Sequence, residues 1–303
     1  MRALLVCNPA AGGGQPRRLL PAVLERLRAA GVEVETYRTA SLDDARQAAR
    51  GAAPDYTAVV AMGGDGTVGA CAAGIGEAGT AGRAALGLIP AGGGNDVARN
   101  LGLPFDDPLA AATLLPTLTW RRADLVRAGE RLFLNAAGAG FDSEVSRLAN
   151  HRLAKAPARL RYVGAMLAEL ALWRPAGFRI TLDGRQLEAR GWLVAIGNGQ
   201  SYGGGMRIAP DARLDDGLLD VVLIGELSKP SFLAVFPKVY SGRHISHPAV
   251  TVWRAARVGL DADRPLAVHL EGELAGTVPV AFEILPGAIR LLAADGAPAL
   301  SPR

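Results

Sequence analysis

Residues 57–69 read Thr57, Ala58, Val59, Val60, Ala61, Met62, Gly63, Gly64, Asp65, Gly66, Thr67, Val68 and Gly69, and no other stretch restricts the fold as much. A short apolar, β-branched run enters a glycine-rich turn that carries one acid and one hydroxyl. The small residues after it suit a closely packed helix. Strand, glycine turn and helix N-terminus together make a phosphate cradle. Glycine reaches positive φ and lets backbone N–H groups approach oxygen, and the helix dipole favours an anion there. An acid inside an anion site repels phosphate unless a cation lies between them, so Asp65 implies Mg2+, bound directly or through water. A tight turn with an N-capping Asp or Thr is the alternative, but a cap requires neither three glycines nor both polar groups.

Gly64-x-Gly66-x-x-Gly69 also fits the dinucleotide pattern G-x-G-x-x-G, which calls for an acid about 20 residues on, at the end of the next strand. The next strand pattern, residues 85–89, instead runs into Pro90 and further glycine. No G-x-x-x-x-G-K-[ST] segment occurs, which excludes a P-loop. Half of the 303 residues are hydrophobic and the mean hydropathy is +0.18. Even so, no run approaches the roughly 18 apolar residues of a spanning helix. The apolar run at the start of the chain is too short for a signal peptide and reads as a first strand. Cys7 and Cys71 lack metal-ligand spacing and read as buried thiols of a cytoplasmic protein. The dispersed histidines lack it too. A net charge of +4 suits anionic partners such as phosphates or anionic lipid without choosing among them.

Along the chain, residues 3–6 form a strand that enters a second glycine loop at 8–14. Leu20, Val23, Leu24 and Leu27 recur at helical spacing, and Gly31 stops that helix. Val32 and Val34 alternate as a strand, Thr39 follows, and Ser41 with Asp44 resembles a capping box. After the strand to Ile89 comes a third loop, Pro90-Ala91-Gly92-Gly93-Gly94-Asn95-Asp96, and a short helix ending at Gly102. Strands alternating with helices predict a parallel α/β sheet, with the three glycine loops gathered at its carboxyl edge. From about Thr117 the rhythm changes to a mostly antiparallel β domain with helical insertions near 141–172 and 229–241. Strand-like runs occur at 178–182, 192–196, 218–224, 250–253, 266–270 and 280–285. Asp183-Gly184 is a strong hairpin signal.

Taken together, Asn8-Pro9-Ala10-Ala11-Gly12, Gly63-Gly64-Asp65-Gly66-Thr67, Gly92-Gly93-Gly94-Asn95-Asp96, Asp211 to Leu218, and Glu271-Gly272-Glu273 resemble the diacylglycerol kinase catalytic family, and within it the soluble bacterial lipid kinases. The resemblance covers essentially the whole chain. It implies a Rossmann-like, phosphofructokinase-like parallel α/β domain at 1–121, to which 286–303 return, and a mostly antiparallel β-sandwich lipid-substrate domain at 122–285. ATP would be held by Asn8, Pro9, Ala10, Ala11, Gly12, Thr39, Gly63, Gly64, Asp65, Gly66, Thr67, Val68, Gly69, Ala70, Gly93, Asn95 and Asp96. Asp65, Asp96 and Asp124 would form a water-linked shell around the catalytic Mg2+. The Arg213 and Leu218 carbonyls with the Asp216 carboxylate would hold a second, structural Mg2+, a hard oxygen-ligated cation suiting that loop. Glu273 is the implied general base, with Asp65 the other catalytic acid. A surface turn at 211–218 and an exposed hairpin at 271–273 are the plain alternatives.

Two departures stand out. Glycine occupies position 93, where the family commonly has Thr, and Glu271 replaces the usual Asp of Asp-Gly-Glu. The expected activity is ATP- and Mg2+-dependent phosphorylation of a lipid hydroxyl, most simply diacylglycerol to phosphatidic acid. Sphingoid-type alcohols, phosphatidylglycerol, an NAD kinase and a non-catalytic binding module remain as alternatives. Partners would be the lipid and an anionic membrane surface, with no nucleic acid, and a homodimer stays open. Arg147, Arg152, Lys155, Arg159 and Arg161 beside Leu160, Val163, Leu167 and Leu170 read either as a membrane-docking helix or as a core-facing stripe with a basic edge.

Overall fold

The computed structural model describes residues 1–79, 83–151 and 158–302. Its first half alternates β1 (Arg2–Cys7), α1 (Gln15–Ala29), β2 (Glu33–Arg38), α2 (Leu42–Ala52), β3 (Ala58–Gly63), α3 (Asp65–Glu77) and β4 (Ala85–Pro90), followed by the short helices α4 (Asp96–Asn100) and α5 (Pro108–Leu114). The strands lie parallel in the order β2-β1-β3-β4. Successive residues of β1 and β3 point to opposite faces. Val6, Val59 and Ala61 join Ala45, Ala49, Val68, Cys71 and Ile75 of α2 and α3. Ala3, Leu5, Val60 and Met62 join Leu20, Val23 and Leu27 of α1. Covered on both faces, the strands read as continuous apolar runs.

Local chemistry sets the helix limits. Pro16 begins α1, and Gly31 follows its end at φ +74. The Ser41 hydroxyl accepts from Asp44 N, while the Asp44 carboxylate reaches back to Ala40 N instead of Ser41 N. In α3 the small residues have a packing reason: a Cβ on Gly74 would lie 2.1 Å from Arg46 O of α2.

The second half contains β5 (Thr119–Ala128), β6 (Arg131–Phe133), β7 (Ala136–Gly140), α6 (Phe141–His151), α7 (Ala158–Leu172), β8 (Ala176–Leu182), β9 (Arg185–Gly197), β10 (Leu219–Gly225), α8 (Lys229–Val235), β11 (Val250–Ala255), β12 (Arg257–Ala262), β13 (Ala267–Leu270), β14 (Glu273–Thr277) and β15 (Val280–Ala293). The β8–β9 hairpin turns through Asp183 and Gly184 at φ +46 and +92. Strand β9 also pairs antiparallel with β7 and β10, and β13 with β7 and β14. Around these strands Trp192 stacks on Phe232 at 4.0 Å, with Phe141 edge-on to both.

This is the expected architecture, a parallel α/β layer followed by an antiparallel β-sandwich, and the two are joined in one sheet. The run at 280–285 continues to Ala293 as one strand, with a register break between Leu285 and Ile289. The first part of β15 pairs with β12, and its end runs parallel to β4, with Arg290 opposite Ala85. Domain limits drawn at 121/122 and 285/286 fall inside β5 and β15, which are paired along their length. Strand β12 alternates Val258, Leu260 and Ala262 inward with Arg257, Gly259 and Asp261 outward, and was not anticipated. Among the described residues, no helix is long and apolar enough to cross a membrane.

Candidate active site

Because β1, β2, β3 and β4 are parallel, their carboxyl ends bring the loops at 8–14, 39–41, 63–66 and 91–95 to one edge. Hydrogen bonds interlock these loops. Asn8 N donates to Met62 O at 3.0 Å, Thr39 N to Cys7 O at 2.9 Å and Ala91 N to Gly63 O at 2.8 Å. The Asn8 side chain accepts from Ala10 N and donates to Thr67 Oγ1 at 3.0 Å. Pro9, Ala10, Ala11 and Gly12 form the turn after β1, and Gly63 to Ala70 span the end of β3 and the first turns of α3. Val68 in that span is core.

Several glycines answer to these contacts. A Cβ on Gly12, which sits at φ +52, would lie 2.3 Å from Ala91 O, and one on Gly92 would lie 2.3 Å from Gly64 Cα. Nothing lies within 4 Å of a Cβ placed on Gly93. Asn95 clamps the third loop, at φ +56, by accepting from Gly92 N and donating to Gly92 O and Phe105 O.

Two acids converge on Gly94. A methyl there would stand 2.8 Å from Asp65 Oδ2 and 3.2 Å from Asp96 Oδ2. Asp65, in the first turn of α3, accepts from Val97 N at 3.1 Å. Burial and then the Asp96 charge push its carboxyl up to about 6. Asp96 is the first residue of α4, not its N-cap, and its oxygens accept from Gly204 N and Gly205 N, each at 2.7 Å, across the junction between the halves.

A third carboxylate arrives from the β13–β14 hairpin, and it is that of Glu271. This residue sits at φ +55 in a two-residue turn with Gly272, and its Oε1 accepts from Leu134 N at 2.7 Å and Asn135 N at 2.8 Å. Its Oε2 is buried and has no hydrogen-bond partner among the described residues. Burial pushes the group up to about 7 against the pull of those two amides, with Asp65 and Asp96 adding to the rise. Gly69 of α3 makes room for it, since a Cβ there would approach Glu271 Cγ to 3.0 Å. Glu273, two residues on, opens β14 with an exposed side chain.

Asp124 lies elsewhere. Its two oxygens accept from Gly217 N and Gly287 N, at 2.8 and 2.7 Å, and its acidic neighbours are Asp216 and Asp215. The structure thus groups Asp124 with the 211–218 loop. In that loop Asp216 Oδ1 accepts from Leu218 N, and Oδ2 is bound by Arg254. Arg213 donates to Leu300 O. Burial pushes nearby Asp220 up to about 6 despite Arg254, with Asp216 and Asp211 adding to it.

As to cations, Asp65 and Asp96 present hard carboxylate oxygens that converge on Gly94, so their donor set fits Mg2+. The 211–220 loop is rich in mutually repelling acids, but Arg254 already supplies a positive charge to Asp216. Among the described residues, no three His, Cys, Asp or Glu side chains gather as a metal cage.

Sequence reasoning passed over Glu271 as a carboxylate of the site. It also missed Asp142, Tyr202 and His269, joined by hydrogen bonds at the same junction, and the buried Asn100–Asn135 pair. The one local signal was the small-residue strand Gly138-Ala139-Gly140 running into Phe141-Asp142. Of the basic helix, Arg152 and Lys155 lie outside the described residues, as do the side chains of Arg159, Leu160, Arg161 and Val163. Arg147 pairs with Glu144, Leu167 is exposed and Leu170 is buried.

A family model described as the diacylglycerol kinase catalytic domain matches residues 2–128. Another, the YegS C-terminal NAD kinase beta sandwich-like domain, matches residues 135–293. A diacylglycerol kinase of Mycobacterium tuberculosis is 36% identical over 292 residues, 94% of this chain and 93% of that protein. One from Bacillus subtilis is 30% identical over 282 residues, 93% of this chain and 92% of its own. A solved candidate diacylglycerol kinase from Bacillus anthracis str. Sterne superposes with a TM-score of 0.82 at 27% identity, covering 98% of this chain and 96% of that one.

Proposed function

The chain belongs to the diacylglycerol kinase family and is a lipid kinase, and from that premise we propose that it transfers the γ-phosphate of ATP to the hydroxyl of diacylglycerol, giving phosphatidic acid and ADP. The observation that carries the reading is the convergence of Asp65 and Asp96 on Gly94 beside the glycine loops, with the Glu271 carboxyl raised by burial and then by those two charges. The loops at 8–12, 39, 63–70 and 93–95 hold the nucleotide, with backbone amides and the α3 N-terminus directed at phosphate oxygens. Asp65 and Asp96 hold Mg2+, which supplies charge neutralisation at the phosphates when bound.

The lipid hydroxyl is neutral and must lose its proton as its oxygen bonds to the γ-phosphorus and the bond to the bridging oxygen of ADP breaks. A carboxylate near neutrality accepts that proton best. The Glu271-Gly272-Glu273 turn supplies the acceptor, and Glu271 Oε2, buried and without a partner among the described residues, is the oxygen the geometry favours. Glu273 is the second reading, at the exposed lip of the same turn. Diacylglycerol resides in a bilayer, so the reading includes peripheral docking on an anionic membrane, which a net charge of +4 favours.

Incubation with ATP and diacylglycerol in mixed micelles tests this directly. Phosphatidic acid is expected with Mg2+ present, and none when EDTA replaces it. Absence of phosphatidic acid in both arms overturns the reading.

A further inference from the structure

Asp142 is a largely buried carboxylate, 14% exposed, at the start of α6 that the transfer reaction itself does not use. Its Oδ2 accepts from the Tyr202 hydroxyl at 2.8 Å and lies 3.0 Å from His269 Nε2, while Oδ1 accepts from Ser143 N at 2.9 Å. Burial would raise this carboxyl, but the His269 and Tyr202 hydrogen bonds outweigh it and hold it below the usual range. Asp142 is therefore an ionised acceptor, so His269 donates through Nε2. Nδ1 of the same ring is buried and makes no hydrogen bond among the described residues.

One donor sits on the loop that holds Asp96 and the other on the strand that leads to Glu271. Tyr202 opens a loop closed by mutual hydrogen bonds with Met206, N to O at 3.1 Å in each direction. Within it Gly203, Gly204 and Gly205 stand at φ +64, +85 and +99, and the last two donate their amides to Asp96. Three successive glycines do not fix their own conformation, because the chain there keeps most of its freedom. His269 lies on β13, two residues before Glu271.

We propose that Asp142 is a positioning residue of the phosphoryl-transfer centre. Through Tyr202 it fixes the glycine loop that orients Asp96, and through His269 it fixes the strand that presents Glu271. One carboxylate thereby ties the cation-side carboxylate to the proton-accepting one. The inference rests on the proposed function for its kinetic arm and on the fold alone for its exchange arm.

Tyr202→Phe removes one oxygen and keeps the ring, so it tests the brace with the least disturbance to the fold. Amide hydrogen exchange of residues 203–205 should quicken in this variant, and kcat with diacylglycerol should fall about tenfold while KM for ATP stays near wild type, as expected for lost alignment. His269→Gln places an amide near the Nε2 position and should retain the wild-type rate, whereas His269→Ala should lose rate and exchange protection together. Unchanged exchange in Tyr202→Phe overturns the proposal, whatever the rate. So does a loss of rate in His269→Gln equal to that in His269→Ala. A wild-type enzyme inactive on lipid would overturn the proposed function and leave the exchange comparison standing.

Discussion

Replacing Glu271 by Gln should make the metal-free protein more stable while it stops turnover. The Glu271 carboxyl is pushed from 4.5 to about 7, and a rise of about 2.5 pH units corresponds to roughly 3 kcal/mol of preference for the protonated form in the fold. Because the shift is upward, the stabilisation is complete below pH 4.5 and is lost as pH climbs through about 7. At pH 8 in EDTA the wild-type protein therefore carries the full cost of a Glu271 carboxylate ionised in a desolvated position, with the Asp65 and Asp96 charges adding to it. Gln keeps an oxygen for Leu134 N and Asn135 N but buries an amide whose hydrogen bonds are not all assured, which takes back about 1–2 kcal/mol. The net gain of about 1–2 kcal/mol should appear as a melting temperature higher by roughly 2–5 °C at pH 8 in EDTA. At pH 5 the difference should shrink to nothing or reverse, since Glu271 is then already neutral. Activity should fall by at least the ~10²–10⁴-fold attributed to a general base. Thermal unfolding by circular dichroism at the two pH values, with phosphatidic acid formation measured alongside, reads both effects. A variant that melts at or below wild type at pH 8 in EDTA would refute the claim that Glu271 is held as a desolvated anion near Asp65 and Asp96.

Asp65→Asn should lower kcat by at least ~10²-fold and raise the Mg2+ concentration needed for half-maximal rate, because the charge holding the ion is gone; an unchanged Mg2+ titration would reduce Asp65 to a turn residue. Asp216→Ala should melt about 3–8 °C lower, as a charged acceptor for Leu218 N and Arg254 is lost. If EDTA lowers the wild-type melting temperature but not that of the variant, the loop holds a cation; a variant melting like wild type in both EDTA and Mg2+ makes it a surface turn. Gly93→Thr should fold normally, since space around that position is open, and should lower KM for ATP by about 2–10-fold through one added phosphate hydrogen bond; an unchanged KM would place the nucleotide phosphates elsewhere.

The glycine loops were legible in the sequence because packing leaves no alternative residue at several positions. Gly12 faces Ala91 O and Gly92 faces Gly64 Cα at distances that no side chain allows. The parallel order of β1, β3 and β4 then gathers Asp65 and Asp96 without further information. Glu271 was harder to read. Two acids flank Gly272, and which of them enters the site depends on a left-handed φ at Glu271 and on the register break between Val268 and His269, neither of which has a local sequence mark. Asp124 is held by amides 93 and 163 residues away. Asp142 and His269 are separated by 127 residues. Periodicity reads local geometry, and contacts of that range are set by how the two halves close on each other.

The most direct test of the account follows the label from γ-³²P-ATP when diacylglycerol, phosphatidylglycerol, a sphingoid base and NAD are offered together to the wild-type protein with Mg2+. Label is expected in the lipid fraction, chiefly as phosphatidic acid, with none in NADP. Label in NADP alone, or in no acceptor at all, would contradict it.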